Sequence, residues 1–245
     1  MCTLILGLGI LGPGSLVLGA NRDESPKRPS ADPGVLVESP RVVGGRDLVS
    51  RGTWLAIREA RFVTALMNRR PWPGDRREVS SLRSRGMLCL DAAVSGDLEG
   101  ALMVAIREAY APCTLVGVGA GREAWAIQVG PEKPRVRPMD RGWHVITHQE
   151  LDDPNEPRTK WILEDIARKE PGSVEEAFDL LAGYLRWEGG EGRPAVCLHR
   201  ESFPTVSSTL LALGVPDGGV SYRHSSGPPC TTPYQDYTPL LTQGD

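Results

Sequence analysis

The first twenty residues carry no charged side chain, and this stretch limits what the chain can fold into. A membrane span needs an unbroken apolar helix, and a signal peptide needs a basic start followed by an apolar helix. The stretch has no basic start, and glycines and a proline interrupt it at Gly7, Gly9, Gly12, Pro13, Gly14 and Gly19. The sequence therefore predicts two strands joined by a glycine-rich turn.

Part of this stretch matches the dinucleotide-binding pattern G-x-G-x-x-G, from Gly7 to Gly12. That pattern binds a pyrophosphate only when its third glycine opens a helix. Here Pro13 and Gly14 follow at once, and then another strand pattern. We therefore expect a hairpin turn and no dinucleotide site.

Cys2 directly precedes the first predicted strand. Cysteine is small enough for removal of Met1, which would leave Cys2 with both a thiol and a free α-amine. Such an amine titrates near pH ~8 and can act as general base for its own thiol. The alternative is that Cys2 is only a small apolar residue in an N-terminal strand.

Composition narrows the class of protein. The 245 residues are 40% hydrophobic and 24% charged, which is typical of a globular protein, and we expect a single domain (1–245). The tail from about residue 225 is predicted to be irregular. The net charge of −3 argues against nucleic acid as a partner. Five cysteines without a C-x-x-C pair predict free thiols in a cytoplasmic protein, with neither a disulfide framework nor a zinc site and with no metal or cofactor.

The order of predicted elements is strands, two helices, strands, two helices, strands. Such blocks favour the α+β class with antiparallel sheets and argue against alternating βαβ units. We expect a four-layer αββα sandwich, two sheets flanked by helices. The second helix is predicted from about Asp97 to Tyr110, with Leu98, Leu102, Ile106 and Ala109 on its buried face.

The residues that end the second strand supply candidate catalytic groups. If the two opening strands pair, Arg22 and Asp23 lie beside Cys2. Asp23 could hold the α-ammonium, and Arg22 could stabilise the thiolate or bind a substrate carboxylate. Asn68, at the end of a later strand, could donate to an oxyanion. A salt-bridged turn without catalysis explains the same residues equally well.

This arrangement predicts the behaviour of the thiol. A cation in direct contact usually outweighs a more distant carboxylate, so Arg22 and the α-ammonium should outweigh Asp23. The thiol pKa of Cys2 should then lie below the free value of about 8.5.

Several short motifs resemble a known family. They are Met1-Cys2-Thr3-Leu4, Asn21-Arg22-Asp23-Glu24, Gly44-Gly45-Arg46-Asp47, Gly52-Thr53-Trp54-Leu55, Ala65-Leu66-Met67-Asn68, Ser84-Arg85-Gly86 and Ser207-Ser208-Thr209. Their order resembles that of the NRDE proteins, the family of the transport-and-Golgi-organisation protein. The first six motifs lie within residues 1–86.

The resemblance implies an N-terminal-nucleophile (Ntn) hydrolase-like fold, distantly similar to bile-salt hydrolases and penicillin V acylases. It implies cleavage of a non-peptide carbon–nitrogen amide bond through an acyl-Cys2 intermediate. The nucleophile, aspartate and oxyanion asparagine of that group would fall on Cys2, Asp23 and Asn68. The catalytic arginine would fall on Arg22, although in the wider group it lies a few residues before the aspartate.

The resemblance also implies a set of substrate-binding residues, namely Asn21, Glu24, Thr53 and His148. Many relatives place an asparagine where this chain has His148, which could replace it as an oxyanion donor. The expected partner is a small amide, acyl or haem-like ligand. The alternative is a non-catalytic binding or trafficking protein for haem or acyl-CoA and lipid, with His144 and His148 as possible haem ligands.

Overall fold

The computed structural model describes residues 2–70, 75–119, 123–216 and 219–242. They form two compact units, one of Met1–Lys27 with Asp140–Asp245 and the other of Arg28–Met139. No helix among the described residues is long and apolar enough to span a membrane.

The strands in chain order are β1 (Thr3–Leu8), β2 (Leu16–Asp23), β3 (Ser30–Val37), β4 (Val42–Asp47), β5 (Leu55–Arg58), β6 (Phe62–Asn68), β7 (Cys113–Gly119), β8 (Ala124–Val129), β9 (Arg135–Pro138), β10 (Gly142–Ile146), β11 (Thr205–Leu213), β12 (Ser221–Ser225) and β13 (Gln235–Asp236). The helices are α1 (Arg85–Ser95), α2 (Leu98–Arg107), α3 (Pro157–Ile166), α4 (Val174–Leu185) and α5 (Pro239–Thr242), with a 3-10 turn at Val79–Ser81.

The first unit contains a six-stranded antiparallel sheet in the order β10-β1-β2-β11-β12-β13. Alternate residues of its strands, such as Ile5, Val17 and Leu210, form a buried cluster with apolar residues of α3 and α4. Leu4 and Leu18 point to the opposite face and are also fully buried. Because both faces of the sheet are buried at β1, successive residues of this strand are apolar.

The uncharged opening stretch forms the predicted hairpin. β1 and β2 pair antiparallel from Thr3↔Asn21 to Leu8↔Leu16. The turn requires glycine at Gly9, whose φ is 69°, and Ser15 Oγ donates to the carbonyl of Gly12 at 2.8 Å. The strand β2, and not a helix, follows the turn, so the predicted hairpin is confirmed.

The second unit contains a seven-stranded antiparallel sheet in the order β3-β4-β5-β6-β7-β8-β9. Apolar residues of α1, α2 and strands β6 to β8 form its main buried cluster. α1 ends at Ser95 and is followed by the C-cap Gly96, whose φ is 80°. Asp97 caps α2 by accepting the N–H of Gly100 at 2.7 Å.

Two details of the sequence prediction are wrong. The buried face of α2 carries Ala101 and Ala105, with Leu98 and Leu102 partly buried beside them, whereas Ile106 is 64% exposed. Small side chains thus form the centre of the contact, and α2 ends before Ala109. The tail from residue 225 is not wholly irregular, since it contains β13 and α5. The α+β class with two antiparallel sheets and helix pairs is confirmed.

Candidate active site

One end of the first unit's sheet carries a row of polar side chains. The β2–β11 register pairs Arg22 with Ser207, and one further step of the β1–β2 register sets Cys2 opposite Arg22. Since directly opposed residues share a face, these three side chains lie on the face away from α3 and α4. Thr3 and Asn21 occupy the other face.

The thiol of Cys2 lies against the backbone of Asp23. The N–H of Asp23 points to Sγ at 3.4 Å, and Sγ lies 3.8 Å from the carbonyl oxygen of the same residue. The cysteine is partly buried. The structure therefore brings together Cys2 and Asp23, the two residues predicted as nucleophile and orienting aspartate.

The Asp23 carboxylate is buried in a polar environment. The hydroxyl of Thr205, the partner of Asp23 in the β2–β11 register, donates to Oδ1 at 2.7 Å. Burial raises the pKa of Asp23, against the opposing effects of the Thr205 hydrogen bond and the Arg158 charge. The carboxylate is thus held in place by a neighbouring strand.

Arg158 brings a positive charge to the same end of the sheet. It is the second residue of α3, is 5% exposed, and donates from Nη1 to Thr3 Oγ1 at 2.6 Å. Burial lowers the pKa of Arg158, and Asp23 opposes that shift. A buried arginine is rare unless a partner compensates its charge, and Asp23 supplies that compensation.

The expected low pKa of the Cys2 thiol is contradicted. Burial and, next, the Asp23 carboxylate raise the pKa of Cys2, and the lowering effect of Arg22 is smaller. The sequence could not show how strongly this end of the sheet is shielded from water. The thiol therefore needs a base to become a nucleophile at neutral pH.

Arg22 and Glu24 form a loose ion pair at the end of β2. Arg22 is 6% exposed, and its Nη2 lies 4.0 Å from Glu24 Oε2. Glu24 Oε1 also accepts the N–H of Ser25 at 2.8 Å. Arg22 is thus a buried cation on the face that carries Cys2.

Asn21 has a structural contact on the other face. Its Nδ2 donates to the carbonyls of Leu185 and Val196, at 2.8 and 3.2 Å. Leu185 is the last residue of α4, so Asn21 satisfies a helix-terminal carbonyl. Its side-chain nitrogen is thus occupied at the end of α4, and its substrate-binding role stays a prediction.

His148 follows the strand that pairs with the outer edge of β1. It is buried and lies two residues beyond Ile146, where the β1–β10 pairing ends. His144 is engaged through both ring nitrogens, Nδ1 with Asp152 Oδ2 at 2.7 Å and Nε2 with the Asp140 carbonyl at 2.8 Å. Those contacts leave His144 without a nitrogen for haem.

Two predicted site residues belong to the second unit. The Thr53 hydroxyl donates to the Leu55 carbonyl at 2.8 Å. This side chain is therefore bound to the backbone of its own segment. Asn68 ends β6, is exposed, and pairs with Cys113 in the sheet. The substrate-binding role of Thr53 and the oxyanion role of Asn68 stay predictions.

Sequence reasoning missed Arg158 and Thr205. Their partners Thr3 and Asp23 lie 155 and 182 residues earlier, so no local spacing could connect them. Ser207 did carry a signal, because it begins the Ser207-Ser208-Thr209 motif.

A surface cavity of about 590 Å³ lies between α4, the β11–β12 hairpin and the C-terminal segment. Its lining includes Phe178, Arg186 and Tyr234, and it contains none of the predicted site residues. We therefore place the candidate chemistry at Cys2 and not in this cavity.

Solved structures that are similar to this chain include three hydrolases and acylases of low sequence identity. The Caenorhabditis elegans N-acylethanolamine-hydrolyzing acid amidase ortholog is 15% identical, with a TM-score of 0.58 over 89% of this chain and 95% of that one. Penicillin V acylase from Agrobacterium tumefaciens is 12% identical, with a TM-score of 0.50 over 99% and 88%. The conjugated bile acid hydrolase of Clostridium perfringens, as its C2A mutant, is 11% identical with a TM-score of 0.47 over 97% and 96%.

The fold is that of the Ntn-hydrolase-like proteins, as the sequence predicted. The family model of Transport and Golgi organisation 2 matches residues 1–181, and the chain belongs to that family. No curated protein sequence matches the chain.

Proposed function

We propose that this protein is an amide hydrolase that uses Cys2 as its nucleophile. The observation that supports the proposal best is the position of the Cys2 thiol, 3.4 Å from the backbone nitrogen of Asp23. Beside it lies a buried carboxylate held by Thr205 and faced by the charge of Arg158. A cysteine with a merely apolar role would not need this polar surrounding.

The reaction begins after removal of Met1, a residue outside the described part of the chain. The α-amine of Cys2 accepts the thiol proton, and the thiolate attacks the amide carbonyl carbon. The tetrahedral intermediate collapses as the amine leaves with that proton, and an acyl-Cys2 thioester remains. Water then attacks the thioester, which releases a carboxylic acid and regenerates the thiol.

The raised thiol pKa supports a mechanism with a built-in base. Burial and the Asp23 charge keep Cys2 protonated at neutral pH, so proton transfer to the α-amine must accompany attack. In the processed chain Asp23 holds the resulting ammonium and orients it. The same carboxylate therefore lowers the reactivity of the resting thiol and stabilises the charge that forms during attack.

Further residues complete the proposed site. Arg22 and Ser207 share the face of Cys2, and the Ser207 hydroxyl is buried with no hydrogen-bond partner among the described residues. We propose that this row binds the polar part of the substrate, with Arg22 steering an anionic group. Asn68 and His148 are the proposed oxyanion donors.

We propose an acyl amide of a small amine as the substrate class. The names of two similar structures refer to hydrolysis of N-acylethanolamine and to penicillin V, and both of these compounds contain an acyl–nitrogen bond. Cleavage of such a bond needs no cofactor beyond the residues described.

The test begins with the intact mass of the purified chain, which should lack Met1. Wild type, Cys2→Ala and Cys89→Ala are then incubated with a panel of acyl amides and acyl thioesters. Cys89 is a matched control because it is a buried thiol of α1 in the second unit. We expect an acyl adduct on wild type and on Cys89→Ala, and none on Cys2→Ala.

Retention of Met1, or turnover that survives Cys2→Ala, would overturn the mechanism. Ligand binding without turnover, equal in wild type and Cys2→Ala, would instead support the carrier alternative for haem or acyl-CoA.

A further inference from the structure

A second cluster of reactive side chains lies near the C-terminal end of α4, and the proposed hydrolase chemistry does not use it. Three of its residues, Cys197, His199 and Cys230, have ligand atoms that all lie within 4.8 Å of one another, and the fourth, Glu188, contacts His199. Cys197 Sγ lies 3.3 Å from Cys230 Sγ, and His199 Nε2 lies 3.2 Å from Cys230 Sγ and 3.9 Å from Cys197 Sγ. From these contacts we propose that the four residues form a zinc-binding site.

The donor atoms suit zinc. Two thiolates and an imidazole are the ligands of many zinc sites, whereas magnesium and calcium prefer oxygen. A tetrahedral zinc ion with bonds of about 2.3 Å to sulfur and about 2.0 Å to nitrogen holds these atoms about 3.5–3.8 Å apart. The three observed separations differ from that by at most about 0.5 Å, which small side-chain rotations can supply.

Glu188 is the proposed fourth ligand, after its exposed side chain rotates towards the two sulfur atoms. Its Oε1 lies 2.8 Å from the same His199 Nε2 that faces both sulfurs. The side chains of His199 and Glu188 are 48% and 57% exposed, so an ion can enter from solvent. On binding, each thiol loses its proton to solvent and His199 binds as the neutral imidazole, so the ion replaces two protons.

Backbone hydrogen bonds fix the segments that carry the ligands. The N–H groups of Val196 and Cys197 both donate to the Trp187 carbonyl, at 2.8 and 2.9 Å. This joins the Cys197 segment to the residue that precedes Glu188. Cys230 lies in a turn in which the N–H groups of Thr231 and Thr232 donate to the Pro228 carbonyl. The ligands are therefore close together before any ion binds, which reduces the entropy cost of binding.

The site also connects to the residues around Cys2. The N–H of Leu198, between the two ligands Cys197 and His199, donates to Thr205 Oγ1 at 2.8 Å, and Thr205 donates to Asp23. An ion that fixes residues 197–199 would thus also fix the hydroxyl that holds Asp23. The zinc proposal itself does not depend on hydrolase activity.

The experiment uses the full chain, stripped with a chelator and kept in a thiol-free reductant. Zn²⁺ is titrated in competition with a chromophoric chelator, and Co²⁺ is added separately to look for a sulfur-to-cobalt charge-transfer band. We expect one equivalent of Zn²⁺ per chain and that cobalt band. Cys230→Ser and His199→Gln should weaken binding at least about 100-fold, and Glu188→Gln about tenfold.

Two thiol variants outside the cluster are the controls, Cys89→Ala and Cys2→Ala, and both should bind zinc as wild type does. The cobalt spectrum of wild type tests the site even if a variant fails to fold. Two results would overturn the proposal, namely no zinc bound by the reduced chain and equal affinity of wild type and Cys230→Ser. A Cys197–Cys230 disulfide whose reduction does not yield zinc binding would overturn it as well.

Discussion

The two units have the same construction, an antiparallel sheet with a pair of helices, but they bury different side chains. Among the described residues, the second unit buries the polar residues Asp47, Thr53, Thr64 and Thr114. The first unit buries many more, namely Thr3, Ser15, Asn21, Arg22, Asp23, Thr147, His148, Arg158, Thr159, Thr205, Ser207, Ser208, Thr209, His224 and Ser225. This difference supports placing the proposed chemistry on the sheet of the first unit.

The comparison has an energetic basis. A buried polar group costs free energy unless it is hydrogen-bonded, and a buried charge costs more. Arg22, Asp23 and Arg158 all lie at one end of the first sheet, where an apolar replacement would be simpler to bury. Such a concentration is typical of functional sites, where local stability is given up for reactivity.

The largest effect is expected at Arg158. Arg158→Leu removes the buried guanidinium whose charge offsets that of the Asp23 carboxylate, and we expect the free energy of unfolding to fall by about 3 kcal/mol. The double variant Arg158→Leu/Asp23→Asn should recover much of that loss, since it removes the second charge as well. Chemical denaturation of the three proteins measures both quantities.

Arg58 of the second unit is the control for Arg158. It donates to the carbonyls of Val94 and Ser95 and is 26% exposed, so Arg58→Leu should cost only about 1 kcal/mol. Equal losses for Arg58→Leu and Arg158→Leu would remove the proposed difference between the two units.

The second-largest loss of stability is expected at Thr205. Thr205→Val removes the donor to Asp23 and the acceptor for the N–H of Leu198, at a cost of about 2 kcal/mol. We also expect kcat to fall, because Asp23 is then less firmly placed. Thr205→Ser keeps both hydrogen bonds and serves as the matched control. Identical kcat values for the two variants would show that the hydroxyl does not position Asp23.

Labelling by iodoacetamide tests the electrostatic effect of Asp23 on the Cys2 thiol. Because Asp23 raises the thiol pKa, Asp23→Asn should lower that pKa and speed labelling of Cys2 at pH 8 by about threefold to tenfold. Cys89 and Cys113 are internal references, since burial raises the pKa of each to about 12. Slower labelling of Cys2 in Asp23→Asn would mean that the carboxylate acts on the thiol chiefly as a base.

The smallest effect concerns Asp47, the buried carboxylate of the second unit. Burial works to raise its pKa, but hydrogen bonds from Ser50, Arg28 and Val49 outweigh burial and leave the pKa lowered. Its contribution is therefore present above the unfolded pKa of about 3.9 and is lost as the pH falls through the folded pKa. Asp47→Asn should lower the free energy of unfolding by about 1 kcal/mol at pH 7 and leave it unchanged at a pH below the folded pKa of Asp47.

Urea unfolding of wild type and Asp47→Asn between pH 3 and pH 7 measures this dependence. A constant difference across that range would show that Asp47 acts only through its shape and not through its charge.

The sequence predicted the opening hairpin, both helix pairs and the contact of Cys2 with Asp23 because these features depend on local patterns. Apolar runs, glycines and caps such as Asp97, which accepts the N–H of Gly100, lie within a few residues of what they specify. Family motifs then identified the fold. They could not locate the residues that complete the site.

The remaining features depend on contacts between distant segments. Arg158 and Thr205 reach the opening strands only after the chain has folded. The prediction of a low pKa for the Cys2 thiol was wrong because the burial of a side chain cannot be deduced from its neighbours in sequence. The same applies to the cysteine cluster. Cys197 and Cys230 are 33 residues apart and match no zinc motif, so spacing alone argued against a metal.

The position of β1 between β2 and β10 has a consequence for synthesis on the ribosome. β10 ends at Ile146, so the nascent chain must grow by more than a hundred residues before β1 gains its second neighbour. At translation rates of about 5–20 residues per second, the first hairpin waits roughly 6 to 25 seconds. Arg28–Met139 is continuous and emerges entirely within that interval. An aminopeptidase can thus reach the N-terminus before the sheet closes around β1.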